Sequence, residues 1–197
     1  MGCASTNHST IIVVSGLPRS GTSMMMAMLQ AGGIRPLIDG IREADEDNPR
    51  GYFELERVKQ LALDDSWLAD ATGRSIKVIS ALLERLPPRF EYRVIFMQRD
   101  MDEVLASQRA MLVRRGRGGD QPDDERMAVL FAKHLAKVRS ELAQRTRMRV
   151  LYVEHGEVIA EPLEAAATIN AFLGSGCDEE AMAGAVEANL HRQRIAR

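Results

Sequence analysis

Four short apolar runs punctuate the chain at 11–15, 75–79, 93–98 and 149–153, each five or six residues long and rich in β-branched or bulky side chains. Runs of this length, bounded by turn residues, predict buried strands of a parallel sheet. Between them lie longer stretches with helical spacing. The spacing predicts helices over 21–31, 54–71, 101–115 and 123–147, one from Pro162 to a glycine stop at Gly174, and a last one over 178–190. In the fourth, Met127, Leu130, Phe131, His134, Leu135, Val138 and Leu142 fall on one stripe, which reads His134 as a boundary histidine of the core. The methionines at 24, 25, 26 and 28 and the sole tryptophan, Trp67, read as packing residues by the same logic. Strands alternating with helices imply right-handed crossovers. The expected fold is therefore α/β, three layers deep, with a mostly parallel central sheet of four to five strands flanked by helices, a fifth short strand lying near Pro36-Leu37-Ile38. Ligands of such sheets lie beyond the carboxyl ends of the strands.

Length and charge narrow the class. A chain of 197 residues suits one domain spanning 1–197, with 1–10 as a flexible N-terminal tail. A net charge of −2 gives no global field for nucleic acid, so the expected ligand is small and anionic and its cationic partners local. Two cysteines, Cys3 and Cys177, cannot build a disulfide framework, and the four histidines show no metal-ligand spacing. No apolar run approaches the roughly 20 residues that span a bilayer. The expectation is a cytoplasmic protein without a metal, although Met1-Gly2-Cys3-Ala4-Ser5-Thr6 formally fits a myristoylation pattern.

The candidate chemistry begins where the first strand stops, at Gly16-Leu17-Pro18-Arg19-Ser20-Gly21-Thr22-Ser23. Gly16 and Gly21 permit backbone angles that side chains forbid, Pro18 stiffens the turn, and the amides from Arg19 to Ser23 converge at a helix N-terminus. Such a loop binds phosphate or sulfate. Its spacing matches Gly-x4-Gly-x-Ser, the Walker A form of P-loop proteins, except that Thr22 stands where the usual lysine belongs. A generic anion-binding turn of another P-loop protein is the plainer alternative. A second motif lies at the end of the third strand, where Arg99 is followed eight residues later by Ser107. An arginine forks onto phosphate oxygens and a helix serine adds a donor. Asp100 and Glu103 are spaced as a capping box for the helix between them.

These two motifs, in this order, resemble the sulfotransferases that use 3′-phosphoadenosine 5′-phosphosulfate (PAPS), and in particular their bacterial P-loop type. The resemblance runs from about residue 11 to 174 and includes Tyr152-Val153-Glu154-His155, Glu161-Pro162 and Phe172-Leu173-Gly174 near its end. It implies that Pro18, Arg19, Ser20, Gly21, Thr22 and Ser23 hold the 5′-phosphosulfate, that Arg99 and Ser107 hold the 3′-phosphate, and that Arg19 and Lys77 assist transfer of a sulfonate group to a hydroxyl or amine. The product would be adenosine 3′,5′-bisphosphate, and the acceptor a small molecule or carbohydrate.

Two departures qualify the resemblance. Cytosolic members carry Lys-x-His after the second strand, the histidine serving as base; here Lys77 is followed by Ile79 in that place. Glu54, which closes the segment Asn48-Pro49-Arg50-Gly51-Tyr52-Phe53-Glu54, is the leading substitute base, with Asp39 and Glu43 behind it. The family's later basic-glycine nucleotide motif has no clean copy, with Arg115 or Arg117 as substitutes. His155 reads either as a turn cap or as a group facing the ligand edge, and His8 and His191 lie near the termini. A small-molecule P-loop kinase using ATP and magnesium, with Asp100 as metal ligand, is the alternative enzyme, and a degenerate member that binds nucleotide or a partner without turnover is the third reading.

Overall fold

The computed structural model of the protein describes residues 10–41, 51–114, 116, 123–174 and 176–186. Among them four strands form one sheet: β1 (Thr10–Gly16), β2 (Ser75–Lys77), β3 (Glu91–Gln98) and β4 (Met148–Glu154). All pairings are parallel, in the order β2-β1-β3-β4. The chain leaves β1 for one neighbour and later returns to its other side, which makes the end of β1 a switch point where a crevice opens. The fifth strand expected near Pro36 is reduced to a single parallel bridge, Pro36 to Ser75.

The continuous apolar runs make sense because both faces of this sheet are covered. Register sets Ile76, Val13, Val94 and Val150 in one row across the sheet. This row faces one core, with Trp67, Leu68, Leu83, Val138 and Leu142 against it. One residue along, Val14, Ile95 and Leu151 form the next row and point to the opposite core. That second core holds Met25, Met26, Met28 and Leu29 of α1 (Thr22–Ala31), together with Ile169 and Met182. Lys77 shares register with Val14, so it projects toward the α1 side at the carboxyl edge.

Most helices follow the pattern. Besides α1 they are α2 (Met101–Arg114), α3 (Asp124–Ala143), α4 (His155–Ala160), α5 (Pro162–Leu173) and α6 (Glu179–Gly184). Of the two glycines after α1 only Gly33 is left-handed (φ 99°); the bonds Gly33 N to Gln30 O (3.1 Å) and Ile34 N to Leu29 O (2.9 Å) close the helix as a Schellman motif over buried Ile34. Pro162 opens α5 and left-handed Gly174 ends it. Helix α4, which was not expected, follows β4 directly.

The stretch 54–71 departs from expectation. Two 3-10 segments, Glu56–Gln60 and Ser66–Ala71, replace the continuous helix. Asp64 breaks it, because its Oδ1 accepts from the Ser66 amide (3.0 Å) and hydroxyl (2.6 Å). An aspartate that bonds nearby backbone competes with helical hydrogen bonding. Trp67, 2% exposed, donates to the Asp64 carbonyl (3.1 Å) and belongs to the core, as read from the sequence.

Candidate functional site

The loop after β1 is built by close approach. A Cβ on Gly16 would overlap the Ser20 hydroxyl and stand 2.6 Å from the Met97 carbonyl, so only glycine lets β1 turn beside β3. Ser20 is buried and its Oγ donates to the Leu17 carbonyl (2.7 Å), which also receives the Ser20 amide (3.2 Å). Pro18 is exposed at the tip. Gly21 is the left-handed N-cap of α1 (φ 96°, ψ 13°), and its carbonyl takes the first helical bond, from Met25 N (3.1 Å). The first-turn amides of α1, at Thr22 and Ser23, lie where a helix offers donors to an anion.

Arg19 is left-handed too, at φ 72°. A non-glycine residue in this region costs about 1–3 kcal/mol, and such strain collects at functional sites. Two bonds hold it there. Its Nε donates to the Ser107 Oγ (2.9 Å), and its carbonyl accepts from Arg99 Nη1 (3.1 Å). The loop, the end of β3 and the second turn of α2 thus meet at one point, although Arg19 and Ser107 are 88 positions apart. Ser107 is 5% exposed.

On the other flank, Lys77 Nζ donates to Ser23 Oγ (2.9 Å) and to the Tyr52 carbonyl (2.8 Å). The second bond draws the irregular segment around Gly51 and Phe53, both with positive φ, against the loop. It brings the backbone two residues ahead of Glu54 to the Lys77 ammonium. Glu54 is half-buried, and its carbonyl accepts from Asp39 N (3.4 Å). Asp39 acts as a cap: its two oxygens accept from Ile41 N (3.1 Å) and Glu56 N (2.6 Å). Ile79 stands just past β2, 47% exposed. Glu43, Arg115, Arg117, His8, His191 and the segment 1–9 lie outside the described residues.

Two contacts escaped the sequence reading. Glu103 does not complete a capping box; its Oε2 accepts from Arg99 Nε (2.9 Å), while Asp100 Oδ1 caps α2 alone by accepting from Asp102 N (3.0 Å) and, at longer range, Glu103 N (3.4 Å). The Tyr52 carbonyl is the second, invisible because any residue type supplies one. His155, read as a turn cap or as a group facing the ligand edge, is 6% exposed, and its ring lies against Gly21, where an added Cβ would overlap Cδ2. His134 is the boundary residue expected, with its Nε2 2.8 Å from Ser80 Oγ.

Beside His155, Glu154 ends β4 in register with Gln98. Desolvation, then the nearby Glu157, raises its pKa above the ordinary value, partly offset by Arg139. Among the described residues no cluster of three histidine, cysteine or acidic side chains is arranged for a metal, and no helix is long and apolar enough to cross a membrane.

Three solved structures share this architecture. The sulfotransferase domain from the Synechococcus PCC 7002 olefin synthase superposes with a TM-score of 0.55 at 16% identity, over 96% of this chain and 81% of that one. The sulfotransferase domain from the curacin biosynthetic pathway gives 0.53 at 13%, over 95% and 92%. Mouse sulfotransferase SULT7A1, complexed with PAP, gives 0.54 at 14%, over 94% of this chain and 65% of its own. No protein-family model and no curated protein matches the sequence. At such identities the likeness is one of fold: the chain has the sulfotransferase-like P-loop fold, an α/β architecture with an all-parallel sheet among the described residues.

Proposed function

We propose that this chain transfers a sulfonate group from PAPS to the hydroxyl, or in a second case the amine, of a small-molecule or carbohydrate acceptor. The observation that carries the reading is the meeting of Arg19, Ser107 and Arg99 at the end of the strand that leads into an anion-binding loop. Two anion sites side by side suit a nucleotide phosphorylated at both its 5′ and 3′ positions. Left-handed Gly21 supports the fit, since as N-cap it leaves the first-turn amides of α1 at a helix N-terminus, where an anion is favoured.

PAPS supplies an activated sulfonate, whose S–O bond to phosphate breaks as the acceptor oxygen bonds to sulfur and gives up its proton. The chain's residues divide the remaining work. The amides of Arg19, Gly21, Thr22 and Ser23 hold the 5′ end, while the Ser20 amide and hydroxyl stay with the Leu17 carbonyl, Pro18 sets the turn, and the Thr22 and Ser23 hydroxyls add donors. Arg19 and Lys77 offset the negative charge that grows on the leaving oxygen, and preorganised cations aimed at developing charge are the strongest such device. Arg99 and Ser107 fix the 3′-phosphate, which orients the reacting end. Glu54 takes the acceptor's proton, because Ile79 has no titratable group.

Asp100 speaks against the kinase alternative. That reading needs its carboxylate for magnesium, whereas Oδ1 caps α2. Calorimetric titration with adenosine 3′,5′-bisphosphate, compared with ATP plus magnesium, separates the readings. Metal-independent binding of the bisphosphate is expected. Preference for ATP with magnesium would favour the kinase, and binding without transfer to any acceptor would favour the non-catalytic reading.

A further inference from the structure

The Arg99–Glu103 pair differs from the surface ion pairs of this protein. Arg57–Asp64 and Lys59–Glu56 join side chains that are about half exposed, whereas the Arg99 and Glu103 side chains are 8% and 13% exposed. Exposed pairs contribute little, and a pair withdrawn from water carries a desolvation cost that its attraction offsets only in good geometry. Such a pair stands here inside the subsite that the proposed function gives to the 3′-phosphate. Glu103 occupies the Nε edge of the guanidinium (2.9 Å), and the Arg19 carbonyl occupies Nη1 (3.1 Å). Two negative or partly negative groups therefore fix the plane of Arg99 before any ligand arrives.

We infer that Glu103 is the selectivity-setting residue of the 3′-phosphate subsite: it orients Arg99 through Nε and, as a fixed negative charge beside it, weakens the arginine's hold on a phosphate dianion. This rests on the PAPS reading above. Closeness in the chain explains why the device is local. Glu103 lies in the first turn of α2 and Arg99 two residues ahead of that helix, only four positions away, so the pair is formed within the β3–α2 junction. Its consequence is a bisphosphate product held firmly enough to be recognised yet loosely enough to leave.

Glu103→Gln separates the two effects, because the amide oxygen still accepts from Nε while the charge is gone. A carboxylate and a dianion about 6 Å apart repel, even at the dielectric constant of water, by enough to change affinity about tenfold. The test measures dissociation constants for adenosine 3′,5′-bisphosphate and for adenosine 5′-phosphate, and takes their ratio. In E103Q that ratio should move about tenfold toward the bisphosphate, with affinity for the 5′-phosphate nearly unchanged and slower bisphosphate release. Glu103→Ala, which also deletes the orienting bond, should move it in the same direction by less, and it decides the matter if E103Q does not fold. An unchanged or lower preference for the bisphosphate in the folded neutral variant would overturn the inference while leaving the donor reading intact. A wild-type protein that binds neither nucleotide would remove the donor reading and this inference with it.

Discussion

Gly21→Ala is the perturbation whose cost the structure resolves most closely. Two penalties add. The first is conformational: at φ 96° and ψ 13° an L-residue is left-handed, which costs about 1–2 kcal/mol. The second is steric: the new methyl would overlap Cδ2 of His155 and stand 3.3 Å from Nε2, with the ring 6% exposed and enclosed by its neighbours. Overpacking of this kind costs about 1–3 kcal/mol. The expected loss is thus about 2–5 kcal/mol, enough to threaten a domain of ordinary stability. His155→Ala separates the penalties, because removing the ring relieves the overlap and leaves the backbone strain. Urea melts of the wild type, both single variants and the double variant form the cycle. The double variant should be less damaged than the sum of the singles by about 1–3 kcal/mol. Additivity within about 0.5 kcal/mol would refute the claim that the His155 ring sets the space above Gly21.

Arg99→Ala should remove a charge-assisted contact of about 1.5–3 kcal/mol, weakening the bisphosphate far more than adenosine 5′-phosphate in titrations; equal losses would dissociate Arg99 from the 3′-phosphate. Arg19→Ala should lower turnover by a much larger factor than it weakens product binding, and parallel losses would make Arg19 a binding residue only. Glu54→Gln should depress transfer to alcohol acceptors while bisphosphate affinity stays within about twofold, roughly 0.4 kcal/mol; a fully active variant would move the search for the base to Glu43. For Glu154 the sign follows from its raised pKa: ionisation is harder in the folded state, so the protonated form's advantage is complete below 4.5 and is lost as pH rises through the folded value. Glu154→Gln should therefore raise the melting temperature at neutral pH and lose that gain below pH 4.5. A gain that persisted in acid would contradict the desolvation argument.

The strands were legible because a parallel sheet covered on both faces forces continuous apolar runs, and these occur at few places in the chain. The loop was legible for a related reason: Gly16 and Gly21 bracket a turn that other residues cannot make. What escaped depends on which of several backbone or side-chain partners a group selects. Asp64 could have faced water in a helix, and instead bonds Ser66 and splits 54–71. Glu103 fits a capping box by spacing, yet its carboxylate reaches back to Arg99, because a buried guanidinium draws a counter-ion more strongly than an exposed amide does. The ring of His155 reaches Gly21 from a strand end 134 positions later, a contact set by the strand order β2-β1-β3-β4 and not by any local signal.

The central claim is that one doubly phosphorylated nucleotide bridges the loop after β1 and the start of α2. A crystal structure of the protein with adenosine 3′,5′-bisphosphate tests it directly. The account predicts the 5′-phosphate on the amides of Arg19, Gly21, Thr22 and Ser23 with Lys77 alongside, and the 3′-phosphate against Arg99 and Ser107. A bisphosphate bound elsewhere, or with its 3′-phosphate directed away from Arg99 and Ser107, would contradict it.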